Sequence, residues 1–212
     1  MYTPVPTRML AKLFFAAGFR KGDIVVNTFS YHLVGAGVML HRVLRDFGVI
    51  VIPTGTGNSE LQIQIMHELG VTGYLGTASF LKTLIDKAVE KGYDFRRDFK
   101  LKRAFFSAEL PSPSLRESFE KDYGIDTSQA YGPSDVGLMA YECTEGSGMH
   151  IAEEVIVEIV DPATGKQLGP GEIGEVVITS LNKVYPLIRV STGDLSYYTD
   201  EPCPCGRTSN RL

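Results

Sequence analysis

The sequence predicts an α/β fold, in which a parallel sheet flanked by helices is followed by a smaller, mainly β subdomain. From residue 7 to about residue 130, segments with helical apolar spacing alternate with short, buried strand-like segments, and this alternation is typical of parallel sheets covered by helices. After about residue 131 the helical periodicity is lost, and strand-like segments joined by Gly/Pro turns follow. We therefore expect an α/β subdomain over residues 1–130 and a β-rich subdomain over residues 131–212.

The elements of the first part are predicted in chain order from apolar spacing and end signals. Asn58 is positioned to cap the helix that follows it. Apolar, β-branched runs favour buried strands over residues 23–28, 49–52, 71–76 and 103–107. Helical spacing favours helices over residues 7–17, 33–47, 59–70, 78–92 and 113–123.

The second part carries two clear strand patterns. Residues 155–160 and 171–181 are rich in β-branched residues and are separated by the turn-forming sequence DPATGKQL. The tail from Asp194 onward is polar and rich in turn residues, so we predict no regular element there.

Composition excludes several function classes. The chain of 212 residues is 43% hydrophobic and 22% charged, with a net charge of -4 and no basic cluster. Nucleic acid is therefore not an expected partner. No apolar run reaches the length of a membrane span, and the N-terminus lacks the pattern of a signal peptide. Three cysteines, an odd number, do not form a disulfide framework. A reducing, cytoplasmic location is the simplest expectation.

The segment AYGPSDVGLMAYEC places an aromatic ring, a hydroxyl and a carboxylate on one Gly-Pro turn. Ser134 could donate a hydrogen bond to a phosphate oxygen, Asp135 could bind a hard cation such as Mg²⁺, and Tyr131 could stack on a base. From spacing alone, an ordinary turn with a capping Ser/Asp pair and a packed tyrosine is the more frequent explanation.

Two more carboxylates follow strand-like segments. Glu109 comes after two aromatic residues at a predicted strand end, and Asp194 follows a glycine. An ionised aspartate can accept hydrogen bonds from both hydroxyls of a ribose. Solvated turn carboxylates are equally compatible with both patterns. The P-loop pattern of glycines followed by Lys and Ser/Thr is absent from the chain.

The remaining residues with distinctive chemistry are three cysteines and one histidine. Together they make a full tetrahedral ligand set for Zn²⁺, although the spacing alone does not show that the two halves of the set meet in space. The members are Cys143, His150, Cys203 and Cys205.

Taken in order, these motifs resemble the adenylate-forming acyl-CoA ligases, and most closely the phenylacetate-CoA ligase branch. The resemblance covers nearly the whole chain. Its motifs are YTP…GFRKGD at residues 2–23, YHLVGAG at 31–37, VIPTGTGNSELQI at 51–63, FSAE at 106–109, AYGPSDVGLMAYEC at 130–143, the run from residue 149 to 181, PLIRVSTGDL at 186–195 and EPCPCGRT at 201–208.

The resemblance implies a two-step reaction with ATP and Mg²⁺, in which a carboxylic acid forms an acyl-adenylate and CoA then displaces AMP. It implies that Ser134 contacts phosphate and that Asp135 helps to hold Mg²⁺. The nucleotide would lie against Ser107, Ala108, Glu109, Tyr131 and Gly132, with Asp194 on the ribose, while Tyr31 and Val34 line the acyl pocket. It also favours a structural Zn²⁺ bound by Cys143, His150, Cys203 and Cys205.

The sequence departs from the family pattern at four positions. Asp135 replaces a glutamate, Ser107 a glycine and Leu110 a proline, and Val34 stands where the acyl pocket often has an aromatic residue. The resemblance also places the phosphate loop before residue 1, and the hinge and small C-terminal domain after residue 212. We therefore expect little ligase activity from this chain alone.

Two other hypotheses remain. A non-catalytic module could bind a nucleotide, an acyl-adenylate or a protein partner, and a zinc-stapled α/β module could lack a nucleotide site altogether. If the flanking segments of the family are missing, apolar surface is left uncovered, which predicts homodimerisation or poor solubility.

Overall fold

The structure is a computed structural model that describes residues 7–32, 35–133, 136–183 and 185–212. The chain divides into two compact units, with the boundary between Gln129 and Ala130. We call the described residues 7–129 the first unit and residues 130–212 the second unit. That these units correspond to the predicted subdomains of an adenylation domain stays a prediction.

The first unit is built on parallel strands, as predicted. The strands lie in the order β2-β1-β3-β4-β5, and each neighbouring pair is parallel. The strands are β1 (Ile24–Asn27), β2 (Ile50–Ile52), β3 (Gly73–Gly76), β4 (Arg103–Phe106) and β5 (Asp126–Tyr131), whose last two residues belong to the second unit. The helices are α1 (Thr7–Ala16), α2 (Ala36–Asp46), α3 (Ser59–Glu68), α4 (Ala78–Glu90), α5 (Phe95–Asp98) and α6 (Pro113–Lys121).

Side-chain caps explain where several of these helices begin. The Asn58 side chain accepts a hydrogen bond from Leu61 N, which confirms the predicted cap of α3. Thr77 caps α4 through Phe80 N, and Ser112 caps α6. Each cap satisfies a backbone N–H that has no partner inside its own helix. None of the described helices is long and apolar enough to cross a membrane.

A large apolar core holds the first unit together. Tyr74, Leu81 and Phe106 are among its fully buried side chains, and they belong to one continuous cluster. The hydroxyl of Tyr74 is satisfied by Thr28 Oγ1 at 3.1 Å and by the Thr77 carbonyl at 2.9 Å. A buried phenol without such partners would destabilise the fold.

The second unit is built from antiparallel strands. The strand β6 (Ala140–Glu142) pairs with the end of β5 and with β7 (Met149–Ile151). A separate sheet has the order β10-β9-β8, formed by β8 (Val155–Val160), β9 (Gly174–Ser180) and β10 (Leu187–Ser196). No helix occurs among the described residues of this unit. Its apolar core is small and centres on Met139, Ile159, Val176 and Ile178.

Strand β10 differs from the prediction, because it continues through Asp194 to Ser196. Its pairing with β9 is shifted between Leu187 and Val190 and again between Ser191 and Leu195. These bulges interrupt the alternation of inward and outward side chains that identifies a strand in a sequence. The second bulge contains Gly193, whose φ is 78°.

Candidate active site

Four of the predicted site residues in the first unit follow the carboxyl ends of parallel strands. Tyr31 lies four residues after the end of β1, and Ser107, Ala108 and Glu109 follow β4 directly. Because β1, β3 and β4 are parallel neighbours, these residues leave the same edge of the sheet. Ligands of open α/β sheets bind at that edge.

The Glu109 carboxylate is anchored to the start of helix α4. One oxygen accepts from Ser79 N at 2.5 Å and the other accepts from Ser79 Oγ at 2.9 Å. Backbone N–H groups in the first turn of a helix lack helical partners and attract negative charge. The carboxylate therefore fixes the segment after β4 to the segment after β3.

Ala108 adopts a left-handed backbone conformation, with φ at 72°. Residues with a Cβ adopt this region at a cost of about 1–2 kcal/mol. The residue lies between Ser107, whose N–H donates to the Gly76 carbonyl at 3.3 Å, and the anchored Glu109. Fixed contacts on both sides therefore hold the strained residue, as is common at ligand sites.

The Tyr31 hydroxyl is held by two side chains. Asn27 Nδ2 donates to it at 2.9 Å, and His41 Nδ1 lies 3.1 Å from it. Burial raises the pKa of Tyr31 to about 12, and the Asn27 hydrogen bond only partly offsets this effect. The phenol is therefore neutral across the physiological pH range.

In the second unit, the structure brings together Tyr131 and Asp194, which are 63 residues apart in the chain. The Tyr131 hydroxyl donates to Asp194 Oδ2. Burial and this hydrogen bond raise the pKa of Tyr131 to about 12, so the phenol keeps its proton. Asp194 itself is exposed, which leaves its carboxylate accessible to a ligand.

Thr192 fixes the bulge that carries Asp194. Its hydroxyl donates to the Val176 carbonyl at 3.0 Å and accepts from Asp194 N at 3.2 Å. The Tyr131 hydroxyl lies 3.4 Å from the same oxygen. Thr192 is thus hydrogen-bonded to Asp194 and lies against the Tyr131 hydroxyl, so the bulge presents Asp194 in a defined direction.

Gly132 lies where two stretches of backbone approach each other so closely that a side chain would not fit. A Cβ at this position would lie 1.8 Å from the Gly137 carbonyl oxygen and 3.1 Å from Met139 N. The turn after β5 therefore closes back on itself directly behind Tyr131. Any other residue would force this turn open.

Three predicted residues lie outside the part of the chain that the structure describes. They are Ser134 and Asp135, predicted to contact phosphate and Mg²⁺, and Val34, predicted to line the acyl pocket. Their roles stay predictions.

The four predicted metal ligands do meet within the second unit. The Sγ and imidazole nitrogen atoms of Cys143, His150, Cys203 and Cys205 all lie within 4.8 Å of one another. Cys143 Sγ is 3.8 Å from Cys203 Sγ, and Cys205 Sγ is 3.3 Å from His150 Nε2. His150 Nδ1 faces Ser209 Oγ at 3.4 Å. The imidazole thus directs Nε2 toward the thiols and is held from behind, as metal-bound histidines are.

The thiols of this cluster differ in acidity. Burial raises the pKa of Cys143 to about 11. Burial also opposes ionisation of Cys205, but hydrogen bonds from the Arg207 backbone and guanidinium outweigh it and lower the pKa of Cys205 to about 7. Burial lowers the pKa of His150. A neutral imidazole and at least one readily ionised thiol are the forms that bind Zn²⁺.

Comparison with known proteins identifies the family. The profile of the AMP-binding enzyme family matches residues 7–183, which is most of the chain. The chain belongs to the AMP-binding enzyme family. This result confirms the resemblance found in the sequence motifs.

Curated relatives of this chain include several phenylacetate-coenzyme A ligases. The Thermus thermophilus enzyme is 32% identical, and the match covers 100% of this chain and 48% of the relative. The Pseudomonas putida enzyme is 36% identical over 89% of this chain and 44% of the relative. The chain therefore spans about half the length of the curated relatives that it matches.

Solved structures agree with this assignment. A 2-hydroxyisobutyryl-CoA ligase in complex with its acyl-adenylate superposes with a TM-score of 0.89 at 25% identity, over 97% of this chain and 45% of that chain. A long-chain-fatty-acid CoA ligase homologue from Rhodopseudomonas palustris has a TM-score of 0.65 at 18% identity, over 91% of this chain and 51% of that chain, and shows the fold alone. The predicted α/β fold class is confirmed.

Sequence reasoning missed the residues that hold the site residues in place. Ser79, His41 and Thr192 each contact a predicted site residue. Ser79 is 30 residues from Glu109 in the chain, and no periodicity connects residues on different elements, as Ser79 and Glu109 or His41 and Tyr31 are. Thr192 lies within the same motif as Asp194, but the motif does not show that its hydroxyl binds Asp194 N.

Proposed function

We propose that this chain carries the nucleotide- and acid-binding part of an AMP-forming acyl-CoA ligase that acts on phenylacetate or a related aryl or acyl acid. The substrates are a small carboxylic acid, ATP and CoA, and the product is a CoA thioester formed through an acyl-adenylate. Membership of the AMP-binding enzyme family and the phenylacetate-coenzyme A ligases among the relatives support this proposal.

One observation carries the proposal. Tyr131 and Asp194, which the family resemblance assigns independently to the adenine and the ribose, form a hydrogen-bonded pair. Asp194 Oδ2 is occupied by the Tyr131 proton, and the exposed carboxylate can still accept from ribose hydroxyls. A turn aspartate with no ligand role has no need of a half-buried tyrosine, a threonine and a bulge to orient it.

The chemistry follows from charge. A carboxylate oxygen attacks the α-phosphorus of ATP, the bond to pyrophosphate breaks, and the acyl-adenylate forms. The CoA thiolate then attacks the acyl carbon, and AMP leaves. Both steps need donors that offset negative charge on phosphate. We assign this role to Ser134, with Asp135 holding Mg²⁺, while Ser107, Ala108 and Glu109 border the nucleotide.

Calorimetry with AMP and with a non-reactive phenylacetyl-adenylate analogue tests the proposal. We expect the analogue to bind in the micromolar range and more tightly than AMP, because it adds acyl contacts. Asp194→Asn should weaken both ligands by about tenfold, since it removes a charged acceptor of hydroxyl hydrogen bonds.

The matched control is Asp200→Asn, which changes an exposed aspartate on the same polar tail. It should leave both dissociation constants unchanged. No binding of either ligand to the folded chain would contradict the proposal and favour a partner-binding module. Pyrophosphate release that depends on the acid would show that the chain is itself catalytic, contrary to our expectation of little activity.

We also propose that the Cys/His cluster of Cys143, His150, Cys203 and Cys205 binds one structural Zn²⁺. Its donor set of three sulfurs and one nitrogen is a closed tetrahedral set, and Cys143, His150 and Cys203 are buried. Bound Zn²⁺ would connect the segment after β6 to the C-terminal tail. It would thereby stabilise the hairpin of β6 and β7, which follows the Tyr131 turn in the chain.

Two expectations about the protein in solution accompany this proposal. We expect a reducing, cytoplasmic location, in which cysteines stay available to bind a metal and do not form disulfides. Exposed apolar side chains of the second unit, such as Ile173, Ile188 and Leu195, support homodimerisation. Light scattering measures the second expectation directly, and a monomer at high concentration would contradict it.

A further inference from the structure

The hydrogen bonds around Asn27 define the role of the Tyr31 hydroxyl. Asn27 is fully buried, and its Oδ1 accepts from Phe29 N at 3.2 Å. Its Nδ2 therefore points the other way and donates to the Gly37 carbonyl and to the Tyr31 hydroxyl, each at 2.9 Å. Because an amide nitrogen only donates, the Tyr31 oxygen must be the acceptor in this contact.

The Tyr31 hydroxyl can then donate its hydrogen bond to His41. His41 Nδ1 lies 3.1 Å from the Tyr31 oxygen. Burial lowers the pKa of His41 below its ordinary value, and the nearby Arg45 adds to this effect. The imidazole is therefore neutral at physiological pH, and its Nδ1 can accept while Nε2 carries the proton.

Two further segments lie close to Tyr31 and to the backbone that carries it. A Cβ on Gly55, in the loop after β2, would lie 3.9 Å from Tyr31 Cδ2, and one on Gly37 would lie 2.3 Å from the Ser30 carbonyl oxygen. The start of α2 thus packs directly on the segment that carries Tyr31. Asn27 also binds this loop, because its carbonyl accepts from Gly55 N at 3.0 Å.

We propose that His41 is a positioning residue of the acyl pocket: it accepts the hydrogen bond that the Tyr31 hydroxyl donates, so that Tyr31 offers its ring rather than a hydrogen bond to the bound acid. The consequence is a preference for acids that are apolar where they meet Tyr31. This inference rests on the proposed function, because it takes Tyr31 to line the acyl pocket.

The physical reason is that the hydroxyl makes both of its usual hydrogen bonds inside the protein. A polar group of the acid placed against Tyr31 would lose water and gain no partner, which is unfavourable. A site that offers no hydrogen-bond partner therefore binds an apolar acid more tightly than a polar one, because only the polar acid loses hydrogen bonds to water. Without the His41 acceptor, the Tyr31 hydroxyl would be able to donate a hydrogen bond to the ligand.

The first test needs no ligand. Nitrogen NMR of the imidazoles, of which the chain has only four, reports the tautomer of His41, and His41→Asn assigns its signals. We expect a neutral ring with the proton on Nε2 and an accepting Nδ1, whose shift changes in Tyr31→Phe. A proton on Nδ1, or signals that do not respond to Tyr31→Phe, would overturn the proposal.

The second test measures acid preference by calorimetry. The probes are non-reactive adenylate analogues carrying phenylacetyl or one of its three ring-hydroxylated isomers. The wild-type chain should prefer phenylacetyl over every isomer. His41→Leu should shift the preference toward the best hydroxylated isomer by about fivefold, the size of one net hydrogen bond.

Two control variants separate this role from a general effect on folding. His41→Asn restores an acceptor near the Nδ1 position and should restore the wild-type preference. The double variant His41→Leu/Tyr31→Phe should show no shift, because the released hydroxyl is gone. An equal shift in the double variant would overturn the proposal.

The two tests also distinguish this inference from the proposed function. If no analogue binds the wild-type chain, the acyl pocket and the specificity role fail together, although the NMR result on the tautomer stands independently. If the analogues bind and His41→Leu leaves their ratio unchanged, the proposed function survives and the role of His41 is overturned.

Discussion

The two units of the chain are stabilised in different ways. The first unit has a continuous apolar core that includes seventeen buried residues from its strands, helices and connections, whereas the apolar cluster of the second unit has four buried members. The second unit instead concentrates three thiols and an imidazole at one point. A small β unit with little apolar core commonly depends on a metal or another cross-link.

This difference also separates the two groups of candidate site residues. Those of the first unit follow strands of a parallel sheet and are held by neighbouring elements, as Glu109 is held by Ser79 at the start of α4. Those of the second unit depend on a turn and a bulge, as Asp194 does on Thr192. The stability of the second unit should therefore have the stronger influence on nucleotide binding.

The largest expected effect comes from removing the metal. Cys143→Ser, or a strong chelator, should release Zn²⁺ and destabilise the second unit by more than about 5 kcal/mol, because metal-binding energy contributes directly to folding. Hydrogen exchange should show lost protection in β6 and β7 while β3 and α4 stay protected. Metal analysis should find one zinc per wild-type chain.

Thr164→Ala, in an exposed turn of the same unit, is the control for the metal experiment and should keep both zinc and protection. Absence of zinc from the wild-type chain would contradict the view that the second unit depends on a metal. Loss of protection in both units together would also contradict it, since the two units would then share one source of stability.

The reciprocal substitution is Phe106→Ala in the first unit. Phe106 is fully buried and contacts the rings of Tyr74 and Phe119, so the cavity should cost about 3–5 kcal/mol. Urea unfolding measures the loss, and zinc content should not change. Leu110→Ala, at a side chain that is 77% exposed, should change stability by less than about 0.5 kcal/mol.

If Phe106→Ala lowers stability while zinc stays bound, the two units have separate sources of stability. A variant that loses both its stability and its metal would show that the second unit cannot hold its ligands without the apolar core of the first.

A smaller effect is expected for Thr192→Val, which keeps the shape of the side chain but removes its hydroxyl. Asp194 N and the Val176 carbonyl each lose a partner, which costs about 1–2 kcal/mol. The bulge should then orient Asp194 less well and weaken AMP binding about five- to tenfold in calorimetry.

Thr179→Val is the matched control for Thr192→Val, because Thr179 is a buried threonine of the same sheet whose hydroxyl accepts from Arg189 N. It should lower stability by a similar amount without changing AMP affinity. Equal loss of affinity in both variants would show that general stability, and not the bulge, governs binding.

The success of sequence-based prediction also differs between the units. Most helices and strands of the first unit follow local rules, although α5 and β5 were not predicted. Asn58 could be assigned as a cap because a cap bonds within its own turn. Strand β10 could not be predicted, because two bulges interrupt its alternation. The Cys/His cluster was recognisable as a ligand set, but its closure depends on pairing between distant segments, such as Met149 with Leu212.

The smallest effect that we predict concerns the anchor of the first unit. Glu109→Gln keeps an acceptor for Ser79 N but removes the charge beside the start of α4, and it should cost about 1 kcal/mol in urea unfolding. Glu117→Gln removes a charge from an exposed i,i+4 pair with Lys121 and should cost less than about 0.5 kcal/mol. If the two variants are equally stable, the Glu109 carboxylate is not a structural anchor. Its charge would then be available to a ligand, as the charge of Asp194 in the second unit is.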